Sequence, residues 1–270
     1  MGLAVAQKLT SLGGWTIHIL DLHLERGTSA ASSLGSDAQF HQTNVTDYEN
    51  LLSVFQTIYS QTSRLDFVFA NAGIAEHANF FSPQTDPPPP PKGLEPIVDI
   101  NLKSVVTTCY LALHYMRKSP KSLDKSLVIT ASCGGLYPSY YSPIYTATKH
   151  AVVGLMRSIA PYFFSNAGIR VNAICPGTVR TNLLSPKEWE NFPDKYFTPV
   201  EKIAETVAML VEGQDGEKGE SQGVLRGKAV EVSGRMHYYR EPVEFCDGGM
   251  RAVMGATDIE VLENAQQWGS

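Results

Sequence analysis

Short apolar runs alternate with longer stretches of helical periodicity, and this alternation predicts the secondary structure of the chain. Residues 3–12 predict an amphipathic helix that ends at Gly13 and Gly14, since glycine is common just after a helix. Apolar runs predict strands at residues 15–20, 65–70, 127–131, 170–175 and 227–232, and a further short strand is predicted near residues 39–43. The periodic stretches between them predict helices at residues 27–35, 48–60, 95–119, 144–164 and 199–211.

Local signals mark the ends of some of these elements. Thr46 or Asp47 can cap the helix at 48–60. The sequence Thr198-Pro-Val-Glu201 predicts a capping box, with proline at the first helical position. The five prolines at 87–91 fit neither a helix nor a strand ladder, so they predict a stiff surface loop.

The order of the elements indicates the fold class. Strands that alternate with helices of about 10 to 20 residues are typical of a parallel sheet with helices on both faces. We therefore predict an α/β protein with a doubly wound, Rossmann-type parallel sheet. The chain has no visible repeat and no linker, and residues 1–270 are predicted to form a single domain.

Composition and charge exclude several kinds of partner. A net charge of −5 argues against nucleic acid or an anionic membrane as a partner. No apolar run approaches the roughly 20 residues that span a bilayer. The seven histidines show no metal-ligand spacing, so no metal is expected. The four cysteines are far apart and indicate reduced thiols in a cytoplasmic protein.

Ser132, Tyr145 and Lys149 carry the most specific chemical signal. Ser132 follows a predicted strand, and Tyr145 and Lys149 are four residues apart on a predicted helix, hence on one face. An ammonium near a phenol favours the ionised phenol, so we expect the pKa of Tyr145 to lie below its usual value of about 10. Such a group can move a proton to or from an alcohol or carbonyl oxygen, a step that usually accompanies hydride transfer.

These residues resemble the short-chain dehydrogenases/reductases, and the resemblance runs from Met1 to about Gly234. Further family motifs occur in the family's order. They are Asn71-Ala72-Gly73 after the strand at 65–70, Asn101 within the sequence Val-Asp-Ile-Asn-Leu, Ser132 placed 13 residues before Tyr145, and Pro176-Gly-Thr-Val-Arg-Thr181 after the strand at 170–175.

The resemblance implies a role for each catalytic residue. Tyr145 is expected to be the general acid in reduction and the general base in oxidation. Lys149 is expected to bond the nicotinamide ribose and to hold down the pKa of the phenol. Ser132 is expected to bond the substrate oxygen, and Asn101 to anchor a water that links Lys149 to solvent.

The resemblance also predicts the cofactor contacts. Asp21 ends the second family strand, 19 residues after Gly2, where a carboxylate can bond the adenine-end ribose and repel a 2′-phosphate. This favours NAD, although NADP stays possible because Arg26 is near. The remaining expected contacts are Asn44 and Val45 at the adenine, Asn71, Ala72 and Gly73 at its ribose, and Pro176, Gly177, Val179, Thr181, Tyr145 and Lys149 around the nicotinamide end.

The resemblance begins inside the nucleotide-binding unit. Met1-Gly2-Leu3 corresponds to the end of the family's Thr-Gly-x-x-x-Gly-x-Gly motif, so the first strand and the other glycines are missing from the stated chain. The loss of a central strand would leave unpaired backbone groups, each costing about 1–3 kcal/mol when buried. We expect an upstream segment in the working protein; the alternative is a chain that lacks the loop and binds a dinucleotide poorly.

The substrate is indicated by two apolar segments. Residues 183–197 resemble the family's substrate lid, and 235–270 form an aromatic-rich extension for substrate or oligomer contact. Hydroxyprostaglandin-dehydrogenase-type members are most similar here, which implies a bulky, hydrophobic secondary alcohol or ketone. The two long helices imply a homodimer or homotetramer. Two alternatives remain: a cofactor-impaired binding module, and a lyase, isomerase or cyclase that uses Tyr145 without redox chemistry.

Overall fold

The strands lie in two separate sheets in the computed structural model, which describes residues 1–216, 223–259 and 261. The smaller sheet pairs β1 (Ile17–Asp21) with β2 (Ala38–Gln42) in parallel. The larger sheet has the order β3 (Phe67–Ala70), β4 (Lys125–Thr130), β5 (Ile169–Pro176), β6 (Ala229–Ser233) and β7 (Met236–Arg240). Strands β3 to β6 are parallel. The two-residue connection from β6 to β7 makes β7 antiparallel.

Helices follow most of the strands. The first three are α1 (Gly2–Leu12), α2 (Leu24–Leu34) and α3 (Tyr48–Thr62). A long helical segment then runs through α4 (Leu94–Val98), a π-helical turn (Asp99–Lys103) and α5 (Ser104–Lys118). The remaining helices are α6 (Pro143–Ala167), α7 (Pro186–Trp189), α8 (Val200–Glu212) and α9 (Gly248–Gly255), with short 3₁₀ turns at Cys133–Gly135 and Asp194–Tyr196.

The larger sheet is covered on both faces, because successive strand residues point to opposite sides. In β4, Leu127 and Ile129 belong to one buried cluster and Val128 belongs to another. The first cluster includes Leu51 of α3, Val105 and Ala112 of α5, and Val152 and Met156 of α6. The second includes Val5 and Leu9 of α1, and Ile203 and Val207 of α8. This arrangement confirms the predicted doubly wound α/β fold.

The two sheets do not join. Among the described residues, β1 pairs with β2 alone and β3 pairs with β4 alone. The facing edges of β1 and β3 therefore lack a strand partner in the described part of the chain.

Several local predictions differ from the structure. The predicted capping box at 198–201 is wrong: Thr198 Oγ1 accepts a hydrogen bond from the Gly234 N–H (3.0 Å), and α8 begins after Pro199 without a side-chain cap. The strand at 227–232 is not the last one, since β7 follows. Asp47 is confirmed as the cap of α3, with its carboxylate accepting from Asn50 N–H at 3.1 Å.

The chain divides into two compact units, Met1–Tyr239 and Arg240–Ser270. The first unit contains the parallel strands and the second contains α9. Residues 260 and 262–270 of the predicted C-terminal extension lie outside the described residues. No helix in the described ranges is both long and apolar enough to cross a lipid bilayer. The four cysteines are free thiols, as predicted.

Candidate active site

A cavity of about 2230 Å³ brings the predicted site residues together. It lies against the carboxyl ends of β4 and β5 and extends along the facing edges of β1 and β3. Ser132, Tyr145 and Lys149 line it. So do the other predicted cofactor residues, which are Gly2, Asp21, Asn44, Val45, Asn71, Ala72, Gly73, Pro176, Gly177, Val179 and Thr181. Asn101 is fully buried and does not line the cavity.

Ser132 and Tyr145 are held at the ends of neighbouring elements. Ser132 follows β4 and caps a 3₁₀ turn, where its Oγ accepts from the Gly134 N–H at 3.0 Å. Pro143 starts α6, and its fixed φ angle suits the first helical position. Tyr145 is therefore in the first turn of α6, and Lys149 follows one turn later. The Lys149 Nζ lies 5.6 Å from the centre of the Tyr145 ring, which confirms the shared helix face.

Lys149 is anchored to the end of β4. Its Nζ donates to the carbonyl oxygen of Thr130 at 2.9 Å. The Thr130 hydroxyl in turn donates to Asn71 Oδ1 at 3.1 Å. A Cβ atom at Gly73 would lie 3.6 Å from the Lys149 Nζ and 3.3 Å from Asn101 Oδ1. Glycine at position 73 therefore lets the backbone after β3 approach both side chains closely.

Asn101 fixes the segment that follows β3. Its Oδ1 accepts from Ile74 N–H at 2.8 Å, and its Nδ2 donates to the Ile74 carbonyl at 2.9 Å. The side chain comes from the π-helical turn between α4 and α5. The amide thus holds one backbone position through both of its polar groups. The predicted water link to Lys149 stays a prediction.

Burial is the largest influence on the pKa values of Tyr145, Lys149 and Cys133. Burial raises the pKa of Tyr145 above its usual value, and hydrogen bonding with Ser132 lowers it by less. The prediction of a lowered pKa for Tyr145 is therefore wrong for this structure. Burial also lowers the pKa of Lys149 from 10.5 to about 8. Burial raises the pKa of the Cys133 thiol, which leaves it protonated at neutral pH and unsuited to act as a nucleophile.

The nucleotide end of the cavity has the features that a dinucleotide needs. Gly2 begins α1 and a Cβ there would lie 3.3 Å from Asn71 Nδ2, so the helix N-terminus packs closely against the end of β3. Helix N-termini favour phosphate groups. Asp21 ends β1 with an exposed side chain, and one of its oxygens accepts from His23 N–H at 2.8 Å. The second oxygen is available to a ribose hydroxyl. These residues fit a nicotinamide dinucleotide.

Part of the predicted lid forms an apolar wall of the same cavity. Trp189 of α7 is buried and donates through Nε1 to the Thr181 carbonyl at 2.9 Å. Its ring packs against Phe192 at 5.7 Å between ring centres. The lid residues that line the cavity are Leu183, Leu184, Glu188, Trp189, Asn191 and Phe192. Tyr196 does not line it, and the lining residues all lie between Met1 and Phe192.

The structure adds polar residues that the sequence reading missed. Glu76 accepts a hydrogen bond from the backbone N–H of Tyr145 at 2.9 Å. His77 Nδ1 lies 3.0 Å from Glu188 Oε1 in the lid. Both contacts join residues far apart in the sequence, and no local motif marks them. The Ser185-Pro-Lys-Glu188 capping box is a visible sequence signal that was overlooked.

Two sequence comparisons match this chain to known enzymes. The profile of the short chain dehydrogenase family matches residues 1–191. The short-chain dehydrogenase/reductase prx7 of Penicillium rubens is 49% identical over 280 residues, which cover 96% of this chain and 97% of the relative. The 15-hydroxyprostaglandin dehydrogenase (NAD+) of Homo sapiens is 31% identical over 213 residues, with 77% and 74% of the two chains covered.

Solved structures share the fold. A 3-ketoacyl-(acyl-carrier-protein) reductase from Brucella melitensis, complexed with NADH, has a TM-score of 0.70 at 23% identity and covers 87% of this chain and 93% of its own. ElxO with NADP bound has a TM-score of 0.69 at 23% identity, covering 86% and 92%. At these identities the similarity concerns the fold alone.

Proposed function

The chain belongs to the short-chain dehydrogenase/reductase family and is an NAD(P)-dependent oxidoreductase, and we propose that it uses NAD to interconvert a bulky, hydrophobic secondary alcohol and its ketone. One observation carries this proposal: Ser132, Tyr145 and Lys149 line the same cavity as all the predicted cofactor residues and an apolar lid segment. A bound nicotinamide supplies the hydride donor or acceptor at this site.

The chain's own residues handle the proton and the substrate oxygen. In reduction, Tyr145 gives its phenolic proton to the oxygen that becomes the alcohol; in oxidation, the phenolate takes that proton. Ser132 donates a hydrogen bond to the same oxygen as negative charge develops there. Lys149 would hold the nicotinamide ribose. Because burial raises the pKa of Tyr145, the phenol is protonated at neutral pH, which suits reduction, and oxidation should accelerate as pH rises.

Asp21 supports NAD as the cofactor. Its carboxylate is exposed at the end of β1 and would repel the 2′-phosphate of NADP while bonding a ribose hydroxyl of NAD. The human relative is named as an NAD+ enzyme. The repulsion depends on the position of this charge, at the end of β1 and beside the cavity.

The substitution Asp21→Asn tests this preference. It keeps an acceptor for the His23 N–H but removes the charge, so we expect the Kd for NADH to rise about fivefold, because charged hydrogen bonds exceed neutral ones by about 1 kcal/mol. The Kd for NADPH should fall. Fluorescence titration measures both. The matched control is Asp37→Asn, an exposed aspartate outside the cavity. An unchanged ratio of the two affinities in Asp21→Asn would contradict the proposal.

The lid supports a hydrophobic substrate. Leu183, Leu184, Trp189 and Phe192 all line the cavity and offer it apolar surface. Each buried methylene contributes about 0.8 kcal/mol to binding. We therefore expect kcat/KM with NAD to be at least tenfold higher for 2-octanol than for 2-propanol, which presents the same reacting group. Equal values for the two alcohols would exclude a hydrophobic substrate class. If the protein binds neither NADH nor NADPH, the cofactor-impaired alternative replaces this proposal.

The quaternary state and location are also proposals. Val106 and Tyr110 on α5 expose apolar surface, which supports a homodimer or homotetramer through this helix. Light scattering coupled to size-exclusion chromatography measures the mass, and a monomer would contradict the proposal. The free thiols of Cys109 and Cys175 are buried and support a cytoplasmic protein.

A further inference from the structure

The helix that carries Tyr145 begins without a side-chain cap of its own. Helix α6 starts at Pro143, and the preceding Ser142 makes no capping hydrogen bond. The Ser142 Oγ instead lies 3.1 Å from the Ser139 Oγ. The N–H groups of a first helical turn have no intrahelical acceptor, so they need partners from elsewhere in the fold.

Glu76 supplies one such acceptor from a distant part of the chain. Its Oε2 accepts the backbone N–H of Tyr145 at 2.9 Å, across 69 positions of sequence. A carboxylate at this end of a helix also interacts favourably with the helix dipole. The other oxygen, Oε1, is buried and makes no hydrogen bond with the described residues. The polar contact of this carboxylate in the described part of the chain is therefore with Tyr145.

The segment that carries Glu76 is itself held on both sides. Ile74 lies two residues before Glu76, and Asn101 forms hydrogen bonds with both the backbone N–H and the carbonyl of Ile74. One residue later, His77 contacts Glu188 of the lid through Nδ1 and Oε1, 3.0 Å apart. Glu76 thus stands between a buried anchor and the lid, and it lines the same cavity as Tyr145. A side chain held in this way can define the position of the helix turn that it contacts.

We propose that Glu76 is a positioning residue for Tyr145: by accepting its backbone N–H, the carboxylate fixes the first turn of α6 and hence the phenol. The inference rests on the proposed acid–base role of Tyr145. Proton transfer depends steeply on the placement of the reacting groups. Loss of the acceptor should therefore slow the chemical step, whereas the affinity for the cofactor should change little.

Three variants of the full-length protein separate positioning from general stability. Glu76→Ala removes the acceptor, and we expect kcat for 2-octanol oxidation to fall about 10- to 100-fold. Glu76→Gln keeps an acceptor of the same length, and kcat should stay within about threefold of the unsubstituted enzyme. Asp47→Ala removes a comparable helix cap, on α3, outside the site. It should lower Tm as Glu76→Ala does, but leave kcat unchanged. The Kd for NADH should stay within about twofold in all three.

Two further measurements keep the test decisive. Amide hydrogen exchange in a peptide covering residues 143–147 should be faster in Glu76→Ala than in Glu76→Gln, and this readout needs no turnover. Glu76→Asp, which shortens the side chain but keeps its charge, should give an intermediate kcat. It replaces Glu76→Ala if that variant does not fold.

The outcomes distinguish this proposal from the proposed function. The role of Glu76 is overturned if Glu76→Ala or Glu76→Asp keeps full kcat. It is also overturned if Glu76→Gln loses as much kcat as Glu76→Ala does. A parallel fall of kcat in Asp47→Ala also overturns it, because the effect is then one of stability. If instead Tyr145→Phe keeps full turnover, the acid–base assignment itself fails. In that case the amide-exchange comparison still shows whether Glu76 holds the first turn of α6.

Discussion

The two ends of the cavity are built from strands of very different burial. At the catalytic end, every residue of β4 and β5 is buried. At the nucleotide end, no residue of β1 or β2 is fully buried, and these strands form a separate two-stranded sheet. We refer to β3–β6 with α5 and α6 as the catalytic region, and to β1 and β2 with α1 and α2 as the nucleotide region.

The contrast shows that the acid–base groups lie in a more buried framework than the carboxylate of Asp21. Lys149, Thr130 and Asn71 are linked by hydrogen bonds at the ends of buried strands. Asp21 lies at the end of a strand that pairs on one side only among the described residues. Segments with few buried apolar contacts open at a lower free energy than the core does. We therefore expect the nucleotide region to limit cofactor binding, while the catalytic region sets the chemistry.

The largest effect is expected at the catalytic end. Tyr145→Phe removes the proton that is exchanged with the substrate oxygen, and kcat should fall about 10²- to 10⁴-fold or more. The Kd for NADH should change less than about twofold, because phenylalanine keeps the ring and the other expected cofactor contacts are untouched. Steady-state kinetics and fluorescence titration measure the two quantities. Retained activity would remove the basis for the catalytic assignment.

Two isoleucine substitutions compare the stability of the regions directly. Ile129→Ala in β4 empties a fully buried site and should lower the free energy of unfolding by about 2–5 kcal/mol. Ile19→Ala in β1 affects a partly buried side chain and should cost about 1 kcal/mol. Urea denaturation followed by circular dichroism gives both values. Equal costs would mean that the two regions do not differ in packing.

The pKa of Lys149 predicts a smaller, pH-dependent effect. Its pKa is about 8 when folded and 10.5 in an unfolded chain, so the unfolded state binds more protons between these values. The contribution of Lys149 to the free energy of unfolding therefore rises as the pH increases from about 8 to 10.5. Lys149→Met should be more stable than the unsubstituted protein at pH 7 by about 2 kcal/mol, allowing for the lost hydrogen bond to Thr130.

Urea midpoints at pH 7 and pH 10 measure this difference. The advantage of Lys149→Met should shrink as the pH rises, because the lysine is then neutral in the folded state and increasingly neutral in the unfolded state. An advantage that is the same at both pH values would show that burial does not lower the pKa of Lys149.

Sequence patterns predict the parallel strands of the larger sheet, because β3, β4 and β5 each contain an apolar run long enough to identify a strand. Strand β7 was missed for a physical reason: its one fully buried residue is His237, which is polar and bonds Asp215 at 2.9 Å. Apolar alternation cannot reveal a strand of this kind. The capping box at Thr198 failed because that hydroxyl bonds the backbone at Gly234, a contact that sequence spacing does not contain.

The candidate site was predictable to the extent that it follows helix geometry. The spacing of Tyr145 and Lys149 placed them on one face, as found. The pKa of Tyr145 was not predictable, because it depends on burial by residues from several elements. Glu76 was invisible for the same reason, since its partner is 69 positions away.

The π-helical turn at Asp99–Lys103 also holds an extra residue without changing the rotational phase of α5. A π turn has one residue more than an α-helical turn, because its hydrogen bonds run from residue i to residue i+5. The wider turn absorbs that residue, so Val105 and Cys109 are buried while Val106 and Tyr110 stay exposed. Deleting one residue at this turn should close it to an α-helical turn and keep that phase, whereas a deletion inside α5 would rotate the residues that follow by about 100°.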